Sequence, residues 1–334
     1  MGKRTMTMTR RTALSLMGGT LAWPLAAQAQ QAGRMPFVGV LMTGSENDDD
    51  SKLRIAGLHQ GLEEAGLKNG QNIRIEFLWA DGRIDGIERI TAEMARLAPD
   101  VILANSTPIV ARLKKLTTTI PVVCALFNDP VGLGFVQSLS RPGGNVTGFT
   151  FINPELIGKW MGLLKEVAPA TTKAALLFNP KTAPFYFNFL KEIEANPKSL
   201  GITLTPLTVS SVAELKAETK KLDDKAGLII GPDPFNVVNI GQIAALSREA
   251  RLPAVSVYRQ FALEGGLVAY GPDTPDIFRR SAAYVDRVLK GAKPADLPVQ
   301  EPTKYEFTIN IKTAKALGLN VPMVLQMTAN EVIE

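Results

Sequence analysis

ALFNDPVGLGFVQSLSRPGGNVTGFT, residues 125–150, decides how the rest of the chain is read. It runs from a strand end through a polar loop closed by Pro130, then an amphipathic helical pattern over 131–140. A tight Arg141-Pro142-Gly143-Gly144-Asn145 turn follows, and then a second strand, Val146–Thr150. The loop Phe127-Asn128-Asp129-Pro130-Val131 hangs from the C-terminal end of an expected parallel strand, the edge at which open α/β sheets take ligands. The last strand is expected to leave one half of the molecule for the other. A stretch that meets a ligand and joins two halves predicts a hinged cleft.

Outward from this stretch, short β-branched runs alternate with longer helical patterns. Upstream, strands are expected at Phe37–Met42, Ile73–Leu78, Val101–Asn105 and Val122–Leu126. Helical spacing appears at Ile55, Leu58, Leu62 and Ala65, ending at Gly66, and again over 84–98 and 108–117. Downstream the rhythm restarts. Leu156, Trp160, Leu164 and Val167 mark a helix; strands follow at Ala174–Phe178, Thr203–Thr208, Gly227–Ile230, Ala254–Val257 and Leu267–Tyr270, and helices at 184–196, 211–222 and 235–250. Asp276–Lys290 reads as a long helix returning to the first half. Ala292–Pro302 then carries the chain back to an edge strand, Tyr305–Ile309, and a helix from Lys312 to Leu317. The expectation is an α/β protein of two doubly wound parallel-sheet lobes joined by a multi-strand hinge. Residues 30–149 with 272–298 form one lobe, and 150–271 with 299–334 the other.

The composition, 46% hydrophobic and 21% charged over 334 residues, is that of an ordinary globular chain long enough for two domains. The formal charge of +5 is local. Lys3, Arg4, Arg10 and Arg11 lie in residues 1–29, which hold no Asp or Glu; without them 33 basic residues face 32 acidic ones. A near-neutral chain offers no electrostatic case for nucleic acid or for insertion at a membrane surface. Basic residues ending at Arg10-Arg11, an interrupted apolar run to Leu25 and the small-x-small site Ala27-Gln28-Ala29 read as an export signal over residues 1–29. The twin-arginine and general secretory routes both fit it, and the expected location is periplasmic. Cys124 is the one cysteine and falls inside a strand-like run, which suits a buried structural thiol.

Enzyme and metal signatures are missing. No G-x-S-x-G or Walker loop occurs, and the single histidine, His59, lies beside an apolar helix face. Gly132-Leu133-Gly134 follows its loop instead of preceding it, so no dinucleotide site is expected. No metal, cofactor or catalytic residue is therefore assigned. What recurs is a polar residue and a proline after a strand: Asn105-Ser106-Thr107-Pro108, Asn128-Asp129-Pro130, Asn179-Pro180 and Asp233-Pro234. Thr107, Asp129, Asn179 and Asp233 suit helix N-caps, worth about 1 kcal/mol each. At the C-terminal strand ends they also suit a cleft wall. An anionic ligand group is expected near Ser106 and Thr107 or against Arg259, with Ser45 as a further donor. Asp129 is expected to face a ligand ammonium. Phe127, Phe185, Tyr186, Tyr258 and Tyr270 are the candidate aromatic walls.

The whole set resembles a bacterial ABC-transporter substrate-binding family with a type I periplasmic-binding fold, including members annotated for tryptophan and tyrosine uptake. The carriers are the leader Arg10-Arg11-Thr12 through Trp23-Pro24-Leu25-Ala26, Asn128 through Gly134, Arg141 through Gly148, Asn179-Pro180, Gly265 through Asp273, Leu289 through Val299, and Lys312 through Leu319. The resemblance implies a monomeric periplasmic receptor without enzymatic activity. It would capture a small polar solute, an aromatic or other amino acid among the candidates alongside sugars and organic acids, and deliver it to the membrane permease of an ABC importer. A sensory binding protein that signals to a membrane receptor, or an enzyme on the same two-lobed fold, are the alternatives.

Overall fold

In the computed structural model, which describes Gly2, residues 34–195 and residues 200–334, two parallel sheets share one winding order. The first contains β1 (Phe37–Met42), β2 (Arg74–Trp79), β3 (Val101–Ala104), β4 (Val122–Phe127) and β5 (Val146–Thr150), ordered β2-β1-β3-β4-β5 and parallel throughout. The second repeats that order with β6 (Lys173–Phe178), β7 (Thr203–Thr208), β8 (Ala226–Ile230), β9 (Ala254–Ser256) and β10 (Val268–Pro272), running β7-β6-β8-β9-β10. It then gains β11 (Tyr305–Asn310), antiparallel to β10, and β12 (Glu331–Ile333), parallel to β11. The expected export signal lies outside the described residues apart from Gly2.

Both faces of the first sheet are covered, so its strands read as continuous apolar runs instead of alternating ones. In β1, Phe37 and Leu41 pack outward with Ile90 and Met94 of α2 (Ile84–Leu97) and with Leu113 of α3 (Thr107–Leu116). Val38, Val40 and Met42 pack inward with Leu58 and Leu62 of α1 (Asp49–Glu64). That inner core continues into the second sheet through Trp160 and Leu164 of α4 (Pro154–Val167), next to which lies α5 (Tyr186–Ala195). On its far face the second sheet packs on α6 (Val212–Thr219) and α8 (Ile240–Glu249). Two shorter helices, α7 (Pro234–Val238) and α9 (Arg259–Leu263), follow β8 and β9.

The long helix α10 (Thr274–Leu289) leaves the second sheet and packs on α1, as its apolar stripe predicts. Gly57 and Gly61, one turn apart on α1, allow the approach. A Cβ on Gly61 would sit 2.1 Å from the Arg279 carbonyl, and one on Gly57 2.3 Å from that of Pro275. Three segments pass between the sheets: Phe149–Ile152, Pro272–Thr274 and Gln300–Lys304. They are cross-linked, Thr150 N–H donating to Gln300 O at 2.9 Å and Asp273 N–H to Lys304 O at 3.0 Å. Short side-by-side crossings permit bending with little sliding.

Three sequence expectations are corrected. Residues 131–140 form turns, not a helix. Pro130 O accepts from both Phe135 N and Val136 N, and Gly134 adopts φ +69°. Phe135 and Val136 are buried as the pattern required, but two glycines, each costing about 1 kcal/mol in a helix, leave too short a run to propagate. The helix expected over 235–250 breaks at Asn239, whose Nδ2 caps the Phe235 carbonyl at 2.8 Å. Tyr305–Ile309 is not an edge strand, because β12 covers it; α11 (Ile311–Leu317) and α12 (Met323–Thr328) intervene.

Candidate functional site

A cavity of about 430 Å³ opens between the C-terminal edges of the two sheets. In an order of 2-1-3-4-5 the winding direction reverses between the first and third strands, and the loops there diverge to leave a crevice. The cavity uses both crevices. Thr43–Ser45 follow β1 and Asn105–Pro108 follow β3, while Thr182 and Phe185 follow β6 and Pro232–Pro234 follow β8. The first two turns of α1, from Asp49 to Arg54, add a polar flank. Leu126, Phe151, Phe185 and Tyr258 supply the larger apolar surfaces.

On the first wall, a hydrogen-bond chain fixes which groups remain available. Asn105 Oδ1 accepts from Thr43 N at 3.0 Å, which sets the amide orientation, and from Thr43 Oγ1 at 2.6 Å. The Thr43 hydroxyl has then spent its one proton, so the 2.7 Å contact with Ser106 Oγ is donated by Ser106. Ser106 therefore presents lone pairs to the cavity, and Asn105 Nδ2 has no partner among the described residues. Thr107 Oγ1 accepts from Asn128 N at 2.8 Å and keeps its own proton. Asp48 is consumed as the α1 N-cap, accepting from Ser45 N at 2.9 Å, Ser51 N at 2.6 Å and Ser51 Oγ at 2.8 Å.

The second wall is organised by Asp233, which is 2% exposed. Its carboxylate accepts from Asn179 N, Thr182 Oγ1 and Phe235 N, tying the loops after β6 and β8 together. Its backbone N–H donates to Tyr258 Oη at 3.2 Å. Burial raises the Asp233 carboxyl above its ordinary 3.8; the three donors offset this only in part, and among the described residues no cation helps to lower it. Burial likewise pushes the Tyr258 phenol up, with the Arg54 charge pulling it down and Asp233 and Asp50 pushing it higher. Tyr258 thus lies within the field of charges on both walls.

Six of the residues expected from sequence line the cavity: Ser45, Ser106, Thr107, Asp233, Tyr258 and Arg259. Arg259 is held by Glu331 in a two-pronged pair at 2.8 and 2.9 Å. The other four lie elsewhere. Phe127 is fully buried in the outer core of the first sheet. Asn179 is buried behind Asp233, with Oδ1 accepting from Lys181 N at 2.9 Å. Tyr270 stacks on Tyr305 with centroids 5.6 Å apart. Asp129, at φ +46°, caps no helix; Oδ1 accepts from Gly132 N at 3.0 Å and Oδ2 from Asn188 Nδ2 of α5 at 2.7 Å, so it bridges from the first lobe to the second. Of the candidate aromatics, Phe185 lines the cavity and Tyr186 is core. At α3 the N-cap is Ser106, not Thr107.

Sequence reasoning missed Arg54, Asn105 and Phe151. Arg54 is buried on α1, pairs through Nη2 with Asp50 and donates from Nε to Thr274 Oγ1 at 3.4 Å. A cation among Leu53, Ile55 and Leu58 reads as surface until the helix axis is known. Asn105 was visible as the first polar residue after an apolar strand, but it was overshadowed by the Ser-Thr-Pro that follows.

A family model described as ABC transporter substrate binding protein matches residues 45–333. A tyrosine-binding protein of Clostridioides difficile (strain R20291) is 26% identical over 265 residues, 79% of this chain and 76% of that protein. The structure of an ABC domain in complex with L-Trp from Streptococcus pneumonia superposes with a TM-score of 0.80 at 26% identity, covering 90% of this chain and 100% of that one. A conserved domain protein from Vibrio cholerae O1 biovar eltor, 24% identical with the same coverage, has the same fold at a TM-score of 0.80.

Proposed function

Because the chain belongs to the ABC transporter substrate-binding protein family, we propose that its cleft captures an α-amino acid with an aromatic or other apolar side chain. The receptor would do so in the periplasm and hand the ligand to the permease of an ABC importer. The observation that carries the ligand class is Asp233: a buried carboxylate on the cavity wall, raised by desolvation and paired with no cation among the described residues. A ligand ammonium relieves that penalty, since burying an unpaired charge is costly and pairing restores it. Phe151, Phe185 and Tyr258 supply apolar wall for a side chain, and 430 Å³ falls within the roughly 300–1,000 Å³ typical of small-molecule sites.

Two relatives support the same class, one being named for tyrosine binding and another solved with L-Trp. A solute that touches Asn105 or Thr107 on one wall and Asp233 or Tyr258 on the other favours the closed form by its difference in affinity for the two forms. No bond is made or broken in the solute. Thermal-shift measurements with the twenty L-amino acids, their decarboxylated amines and a sugar panel test the proposal. An amino acid at about 100 times its dissociation constant should add about 2.7 kcal/mol of stability. A sugar or a dicarboxylic acid stabilising the protein while every amino acid leaves it unmoved would overturn the ligand class.

A further inference from the structure

Two cationic side chains line the cavity, and they are not equivalent. Arg259 spends its Nε–Nη2 edge on Glu331. Arg54 is 7% exposed and comes from inside the second turn of α1, at the flank of the cavity where Phe151 and Tyr258 meet at 6.5 Å between ring centroids. Its Nε–Nη2 edge is also occupied: Nε points to Thr274 Oγ1 and Nη2 to Asp50 Oδ2. Those two partners fix the guanidinium plane. Both protons on Nη1 and one of the two on Nη2 have no partner among the described residues. Nη1 is also not one of the buried polar atoms cut off from solvent. A guanidinium offers five protons in a rigid fork, and the terminal Nη1–Nη2 edge is the one that matches a carboxylate with two parallel bonds.

Of the other first-wall groups, Asn105 Nδ2 and the Thr107 hydroxyl keep protons but carry no charge, so neither offers a charge-assisted pair. Ser106 has given its proton to Thr43, leaving an acceptor where a carboxylate needs donors. Asp48 and Asp49 repel an anion at the rim. Tyr258 feels Arg54 from the first wall and Asp233 from the second, so opposite charges flank one phenol from opposite sides of the cleft. Arg54 and Asp233 both line the one cavity, so a ligand with one anionic and one cationic group finds a partner of opposite charge on each wall.

We infer that Arg54, oriented by Asp50 and Thr274, is the specificity-determining residue that reads the ligand's free α-carboxylate, so that the receptor rejects amines and amides of the same side chain. The inference rests on the amino-acid reading above and adds to it the group that recognises the acid end. A zwitterion held by Arg54 on one wall and Asp233 on the other then bridges the lobes through its head group, whatever its side chain.

Calorimetric titration of the purified chain with L-tyrosine and L-tryptophan, each beside its carboxamide, tests this. Wild type should prefer the free acid by about 10–100-fold, the range of a charge-assisted bidentate pair. Arg54→Met should bring the acid-to-amide ratio to within about threefold of unity, whatever it does to the amide's own affinity. Arg54→Lys keeps a cation beside Asp50 but loses the fork, and it should give an intermediate ratio; it also serves if the methionine variant folds poorly. An undiminished ratio in either variant overturns the role of Arg54 and leaves the amino-acid reading standing. Wild type binding acid and amide equally overturns the carboxylate requirement alone, and wild type binding neither amino acid nor amide removes both.

Discussion

Removing one amide at the lips of the cleft should weaken every ligand by the same factor. Asp129 Oδ2 accepts from Asn188 Nδ2 at 2.7 Å, between the first lobe's loop after β4 and α5 of the second. Neither residue lines the cavity and the bond spans the two lobes, so its loss is expected to shift the balance between open and closed forms without touching the ligand. Asn188 is the side to change. Asp129 sits at φ +46°, where alanine adds strain of about 1 kcal/mol, whereas Asn188→Ala on an exposed helix position is conformationally neutral or better. One solvent-accessible bond to a carboxylate contributes about 1 kcal/mol net, so the dissociation constant should rise about fivefold, mostly through faster release. Stopped-flow fluorescence and calorimetry on Asn188→Ala, Asp129→Gly and the double variant supply the assay. The double variant should be no weaker than Asp129→Gly alone. A loss that differs between ligands, scaling with the presence of an amine, would place Asp129 on the ligand and refute the latch.

The remaining expectations concern charge and packing. Asp233 is raised by burial, so its contribution to folding is fully present below the ordinary value of 3.8 and is lost as pH rises through its higher folded value. Ammonium binding requires the ionised form, so affinity should fall as pH drops from 7 toward that folded value, and Asp233→Asn should bind weakly without that pH dependence. Asp276 at the start of α10 runs the other way: burial raises it, but Lys304 at 2.9 Å and Arg279 at 3.0 Å more than compensate. Its stabilisation is present above 3.8 and lost as pH falls through the lower folded value, so Asp276→Ala should lower the melting temperature by several degrees at pH 7 and by little near pH 2. Gly61→Leu should drive α10 off α1, since even a Cβ meets the Arg279 carbonyl; differential scanning calorimetry should show a loss of about 3 kcal/mol or more.

Much of the architecture was legible because the period of apolar residues is a local property. Val146–Thr150 was placed to the residue, and the repeated alternation of strand and helix foretold two similar sheets. The pattern failed at 131–140, where the period asked for a helix and Gly132 and Gly134 refused one. It also failed at the C-terminus, where three-residue β12 carries no period long enough to read. The site divided along the same line. Strand-end polar residues such as Ser106 and Asp233 were visible because a polar side chain after an apolar run marks a loop. Phe127 is the last residue of β4 and points into the outer core, whereas Asp129, two residues on at a positive φ, turns to Asn188.

Composition and spacing alone determined that this chain winds two parallel sheets and crowds its polar, proline-tipped loops at their C-terminal ends. Only the tertiary structure decided which of those loops share a cavity, that Arg54 of α1 reaches it, and that Arg259 is already paired with Glu331. The reason is physical. Periodicity fixes which way a side chain faces on its own element, but the free hydrogen-bond capacity of a group depends on partners dozens to hundreds of residues away.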